Sequence, residues 1–352
     1  MVQYQLKLRL NRKQEQTLNS WLYHLAAVHN WAVRKLQLDA RNSIYYRRKD
    51  FQNLLAHHGE RLGIPSHTLQ GQLCVVYDSW QRCFKKLATR PRFKSKRNKL
   101  NSISFPDPFR EPKAGKISVP GIGRVRFHKQ ILPEGKIKCG RIVKRASGWY
   151  LCLFIDAQPK AIPVVANGVI GIDPGFSSLL ALSTGEKINH PHEFKAAAQR
   201  LAQAQRGKRK KLSARLQERI RNRRKDRNHK LSRRLVSENK EIYFSKDNHR
   251  GIATKFGKSV ADSGHGQLRG FLAYKASRTD GRLYREPASK NSTRMCSVCG
   301  ALTGPSGLAQ LSVRQWRCSG CGSLHDRDTN AAINAVIVGS GLGPRGEHAN
   351  AA

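Results

Sequence analysis

The sequence predicts an α+β chain divided into several structural units. Three observations carry that prediction. At 352 residues the chain is longer than one hydrophobic core usually organises. Its first residues alternate with the period of a strand, and the apolar spacing then turns helical. After Pro163 a different pattern begins, in which apolar strand-like runs, strongly basic helical stretches and paired cysteines follow one another.

Taken in order, Tyr4, Leu6, Leu8 and Leu10 alternate with Gln5, Lys7 and Arg9, the mark of a half-buried strand over residues 2–10. Asn11 opens a helix in which Leu18, Trp21, Leu22, Leu25 and Val28 fall three or four apart. A second helical stretch around 69–87 puts Leu73, Val76, Trp80 and Phe84 on one face, and these aromatics read as core rather than as base-stacking platforms. Residues 12–89 are therefore a small helical unit. Residues 90–106 carry six Lys or Arg and no acid, so Arg92, Lys94, Lys96 and Arg97 suit a phosphate backbone. Two apolar runs within 136–156, joined at Ala146-Ser147-Gly148, read as a hairpin. With the first strand they form a small β unit completed from both sides of the helical insertion.

Beyond Pro163, VIGID at 169–173 and LLALSTG at 179–185 read as two strands joined by a tight Pro-Gly turn, with Asp173 ending the first. Residues 206–234 hold 15 Lys or Arg against two acids, Glu218 and Asp226. A narrow stripe of Leu212, Leu216 and Ile220 makes this a long basic helix or helical pair, with Lys208, Arg209, Lys210 and Lys211 as further phosphate contacts. EIYFS at 241–245 reads as a strand, a helix is expected from about 259 to 274, and residues 341–352 read as a disordered tail.

The charge balance narrows the function. Against 66 Lys and Arg stand 23 Asp and Glu, a formal charge of +43 that repels itself unless a polyanion neutralises it. A long nucleic acid does so. No run of about 18 uncharged apolar residues crosses a membrane, and the opening MVQYQLKLRLNRK lacks the apolar segment of a signal peptide, so the expected location is the cytoplasm, on the nucleoid when DNA is bound.

Cysteine usage points to metal. Cys296-Ser-Val-Cys299 and Cys318-Ser-Gly-Cys321 are separated by 18 residues and each is followed by Gly. Two such knuckles converge on one tetrahedral ion because each tight turn presents both sulfurs on the same side. Four thiolates close the coordination sphere, so the expected Zn²⁺ is structural. Carboxylates suggest chemistry as well: Asp173 ends a strand, and Asp326 opens the helix that follows the cysteines. Phosphodiester hydrolysis with two divalent ions needs several carboxylates from distant segments, and these two could supply part of the set.

Four motifs in this order, GIDPGFSSLLALSTGE, FGKSVADSGHGQLRGFLAYKA, CSVCG…WRCSGCG and HDRDTNAAINAV, closely resemble the TnpB family, the RNA-guided nucleases of insertion sequences related to compact type V CRISPR effectors. The resemblance spans about 168–338 and reaches back through PRFKSKRNKLNSISFP. It implies a wedge-like β-barrel from 1–11 and 90–165 interrupted by a helical recognition unit over 12–89. A RuvC-like nuclease domain would follow from 166–290 and 325–340, with a zinc ribbon inserted at 291–324. Its implied partners are a guide RNA from the transposon end and a target DNA paired beside a short protein-read motif.

The resemblance also implies a catalytic Asp, Glu, Asp set that binds Mg²⁺. Asp173 matches the first and Asp326 the third. The Glu usually ends a strand in a pattern like IEDLN, where this chain has Ser245. Two substitutes are open: Glu286, ten residues before Cys296 on a strand expected beside the one bearing Asp173, and Asp247, which shares the parity of Ser245. Three functions follow: an RNA-guided DNA endonuclease, a repressor of the same descent that keeps guided binding without cleavage, and a transposition accessory that binds without a guide.

Overall fold

Alternation in the first residues yields β1 (Val2–Arg9), and Asn11 caps the next helix through a reciprocal box with Gln14. In this computed structural model the chain continues through α1 (Arg12–Arg41), α2 (Arg48–Asn53), α3 (Gly59–Leu62) and α4 (Ser66–Phe84). Five strands follow: β2 (Ser102–Phe105), β3 (Lys116–Val119), β4 (Gly123–Phe127), β5 (Lys136–Arg145) and β6 (Gly148–Asp156). The structure describes residues 1–352 except 129, 159, 247–248, 289–290, 307–309, 311 and 342–352, and leaves out the side chains of 249–253 and 255–256. Asp247 and the expected tail from 342 onward lie outside the described residues.

The first of two units ends at Pro159. Its sheet has the order β2-β5-β6-β1-β4-β3, and β1 pairs antiparallel with both β6 and β4, so the N-terminal strand closes a sheet whose other strands come after the helices. Leu18, Trp21 and Leu25 of α1 join Leu6, Phe105, Ile142 and Leu151 in one core. A second cluster, including Val33, Phe51, Leu73, Val76 and Trp80, holds the helices together. Phe84 departs from the expectation: at the last turn of α4 it is 54% exposed.

The second unit contains β7 (Gly168–Pro174), β8 (Ser178–Leu182), β9 (Lys187–Asn189), α5 (Glu193–Arg206), α6 (Lys210–Glu238) and β10 (Asn239–Phe244). It continues with α7 (His249–Ser263), α8 (His265–Ala276), β11 (Leu283–Arg285), β12 (Gln315–Arg317), β13 (Leu324–Asp326) and α9 (Arg327–Ser340). The main sheet runs β11-β10-β7-β8-β9; β11, β10 and β7 are parallel, while β8 and β9 are antiparallel to their neighbours. On one face Ile170, Ile172, Ile242 and Phe244 pack beneath Leu231 and Leu235 of α6 and Leu268 and Leu272 of α8. On the other lies α9, whose approach requires glycine: a Cβ on Gly171 would sit 1.8 Å from the Ala332 carbonyl oxygen.

Two expectations change here. The helix expected over 259–274 is two helices, because Gly264 adopts φ 66° and breaks the run between α7 and α8. The strand leading to Glu286 does not adjoin β7, since β10 lies between them.

Candidate functional site

The cysteine module is built on the β12–β13 hairpin and the knuckle before it. Cys296 Sγ lies 3.7 Å from Cys321 Sγ, and Cys299 Sγ lies 3.6 Å from Cys318 Sγ. All four sulfurs fall within 4.8 Å of one another. Tetrahedral zinc at about 2.3 Å from each sulfur needs sulfurs about 3.8 Å apart, so the set fits the ion. Thr303 Oγ1 donates to Cys318 Sγ at 3.2 Å and brings that thiol down to about 6. Burial, and then the neighbouring Cys299 and Cys321 thiols, push the Cys296 thiol up to about 12, a cost that a bound dication offsets.

This module is tied to α9 by two asparagines. Asn330 accepts from Ser297 N at 3.0 Å and donates to Met295 O at 2.8 Å; Asn334 donates to Ser292 O and Met295 O, each at 2.7 Å. Both are buried. Because β13 runs directly into α9, the hairpin pairing of Gln315 with Asp326 sets where the helix begins. Asp326 is its N-cap, accepting from Thr329 N at 3.0 Å.

Sheet register fixes the carboxylate face. Asp173 is level with Ala181 of β8, which is level with Lys187 of β9, and directly paired residues project to one side. That side is the one covered by α9, since Asp173 is two residues from Gly171. Lys187 Nζ reaches Asp326 Oδ2 at 2.7 Å and Asp328 Oδ2 at 3.9 Å. Burial pushes the Asp326 carboxyl up, but the Lys187 ammonium and the Thr329 N–H outweigh it and hold the group below the ordinary range. Arg314 joins from the β12 side, 3.7 Å from Asp328 and 3.5 Å from Ser177 Oγ. Asp328 was not singled out from the sequence; its signal was the doubled acid of His325-Asp326-Arg327-Asp328.

Ser245 continues β10, one residue beyond the Phe244 to Ile172 pairing, and is thus level with Asp173. It is 1% exposed, and its Oγ has no hydrogen-bond partner among the described residues. Glu286 falls elsewhere. The parallel register of β10 and β11 makes it level with Phe244, on the face beneath α8. There it forms an ion pair with Arg269 and accepts from Tyr284 Oη at 2.8 Å. Burial raises the Glu286 carboxyl, and the Arg269 and Tyr284 hydrogen bonds lower it by more. Neither Asp173, Glu286 and Asp326 nor Asp173, Asp326 and Asp328 form a group with all ligand atoms within 4.8 Å among the described residues.

The basic candidates stand outward. Backbone atoms of Arg92 and Lys94 are pinned to α1 by His29 and Asn30, which leaves Arg92, Lys96 and Arg97 exposed and Lys94 half-buried. Lys208, Arg209, Lys210 and Lys211 occupy the exposed turn and start between α5 and α6, where Lys208 adopts φ 51°. None of the eight has an acidic partner among the described residues.

Comparison with known proteins matches two stretches to family models: residues 155–248 to one described as "Probable transposase" and residues 265–335 to "Cas12f1-like, TNB domain". A Streptomyces pristinaespiralis protein named as an RNA-guided DNA endonuclease is 30% identical over 295 residues, covering 78% of this chain and 72% of the relative. The Escherichia coli RNA-guided DNA endonuclease InsQ is 26% identical over 314 residues, covering 80% and 77%. Among solved structures, Cas12f1 in its complex with guide RNA and target DNA shares the fold, with a TM-score of 0.57 at 13% identity over 92% of this chain and 83% of that one.

Proposed function

Since the chain belongs to the TnpB family of insertion-sequence RNA-guided DNA endonucleases, we propose that its second unit is a RuvC-like nuclease with an inserted zinc ribbon. In this reading the first unit's sheet is the wedge barrel, with the helices of residues 12–89 as its recognition insertion. Guide RNA pairs with target DNA, and cleavage depends on Mg²⁺. The observation that carries the reading is the sharing of Lys187 by Asp326 and Asp328 on the face that also bears Asp173. Hard carboxylate oxygens of these three residues suit Mg²⁺, as thiolates and imidazoles do not. When bound, Mg²⁺ supplies Lewis-acid stabilisation of the phosphoryl charge and an activated water.

The chain's own groups do the rest. Lys187 pairs with both Asp326 and Asp328, and its ammonium would stand beside a phosphate oxygen when these carboxylates hold Mg²⁺. Asp326 keeps the start of α9 in place through Thr329 N. Arg314 tethers Asp328 to the β7–β8 turn. We assign the third carboxylate to Asp328 in preference to Glu286, because Glu286 is level with Phe244 and already neutralised by Arg269. Seven exposed basic residues and the half-buried Lys94 hold the nucleic-acid backbone.

A second reading, the repressor that binds without cutting, draws on Ser245, which brings no charge to the position level with Asp173. Cleavage of guide-matched DNA across a Mg²⁺ titration separates the two. On the nuclease reading the wild type and Glu286→Gln cut, and Asp173→Asn and Asp328→Asn bind without cutting. A wild type that binds but never cuts establishes the repressor.

A further inference from the structure

Apart from the four cysteines, one other group of metal-ligating side chains converges among the described residues: His190, His192 and Asp262 present donor atoms that all lie within 4.8 Å of one another. They come from two places in the second unit. His190-Pro191-His192 forms the junction between β9 and α5, and Asp262 stands at the C-terminal end of α7. His190 is 7% exposed and Asp262 6%, so both donors are withdrawn from bulk water.

The junction is shaped around these rings. His192 adopts φ 47° and ψ 50°, a left-handed conformation costing about 1 kcal/mol for a residue with a Cβ. That conformation lays its ring on His190 at a centroid distance of 4.2 Å and an interplanar angle of 14°. Two imidazolium cations would repel in such a stack. His190 is the more deeply buried ring of the two. Its Nδ1 accepts from His192 N at 2.8 Å, which puts an unprotonated nitrogen at the junction. Asp262 spends one oxygen, Oδ1, on Phe194 N at 2.9 Å. Of the nearby cations, Arg227 pairs with Glu193 through two hydrogen bonds of 2.9 and 2.8 Å, and Arg224 donates to the carbonyl of Ala261 beside Asp262. The three donors bring two imidazoles and one carboxylate to an entering ion.

We propose that His190, His192 and Asp262 form a second transition-metal site, which takes Zn²⁺ or a similar borderline ion and clasps the end of α7 to the start of α5. Two imidazoles and a carboxylate select such an ion over Mg²⁺, and three protein ligands leave one position for water. On binding, the ion takes over the lone pair that His192 N–H now occupies. The site shares no residue with the cysteine module, and its test reads bound metal rather than cleavage, so it does not depend on the nuclease reading.

The full-length protein is dialysed against excess Zn²⁺, desalted and analysed for zinc per chain; Co²⁺ loading gives an optical check. Wild type should retain two equivalents, and His192→Gln and Asp262→Asn one each with unchanged circular dichroism. In Cys318→Ser loaded with Co²⁺, the remaining ion should show ligand-field bands without thiolate charge transfer. One equivalent in the wild type overturns the proposal, and that count requires no variant to fold. Two equivalents retained in both His192→Gln and Asp262→Asn also overturn it.

Discussion

At the scale of single residues, Asp326 caps α9 and, in the proposed reading, also holds Mg²⁺, two duties that substitution can separate. Asparagine is as good an N-cap as aspartate, so Asp326→Asn should leave stability within about 0.5 kcal/mol. Cleavage should nevertheless fall on the order of 100-fold or more, because an amide is a poor ligand for a dication. The lowered Asp326 carboxyl also has a pH consequence. Its contribution to stability is present above the ordinary carboxylate range and is lost as pH falls through the lowered folded value, a dependence that Asp326→Asn removes in acid titration of unfolding. Glu286 behaves differently: Glu286→Gln weakens the contact with Arg269 and should cost about 1–3 kcal/mol in thermal unfolding while cleavage stays within about twofold. Spacing and motif order singled out Asp173, Asp326 and Ser245, and the structure sets Ser245 level with Asp173. Which face Glu286 takes was not legible, because it depends on the register of β11 against β10, a long-range pairing that no local pattern encodes.

Among the elements, the cysteine module and α9 act as one body through Asn330 and Asn334. Cys318→Ser should therefore lower zinc content by one equivalent, lower the melting temperature and depress cleavage without touching a carboxylate. A second element-level prediction concerns Lys275 of α8, which is 8% exposed and donates to His229 O and Ser232 Oγ of α6 at 2.6 and 2.7 Å. Burial, and then Arg233, bring this ammonium down to about 8. Between that value and the ordinary lysine range the unfolded chain binds the extra proton, so stability should rise with pH across the window. Lys275→Met should flatten that rise relative to wild type in denaturant titrations. Paired CxxC spacing announced the module from sequence, and alternation announced β1. The break at Gly264 was hidden, since an isolated glycine in a helical pattern is usually tolerated and only its left-handed backbone marks a stop here.

For the molecule as a whole, the formal charge of +43 makes affinity for nucleic acid an electrostatic matter. Replacing Lys208, Arg209, Lys210 and Lys211 together by Ala should reduce the slope of log affinity against log salt by up to about 3, at roughly 0.7–0.9 per lost phosphate contact. No described helix is long and apolar enough to cross a membrane, which agrees with the absence of apolar runs in the sequence. The polyanion partner was legible from composition alone. That it includes a guide rests on the ordered motifs, and in the proposed reading cleavage rests on Asp173 of β7 with Asp326 and Asp328 at the start of α9. The most direct measurement is to sequence the RNA that co-purifies with the protein and to offer the complex, with Mg²⁺, a duplex matching the RNA's 3′ end. The account predicts a discrete RNA and cleavage confined to the matched duplex, abolished by Asp173→Asn with binding retained. Binding of the matched duplex without cleavage by the wild type would contradict it.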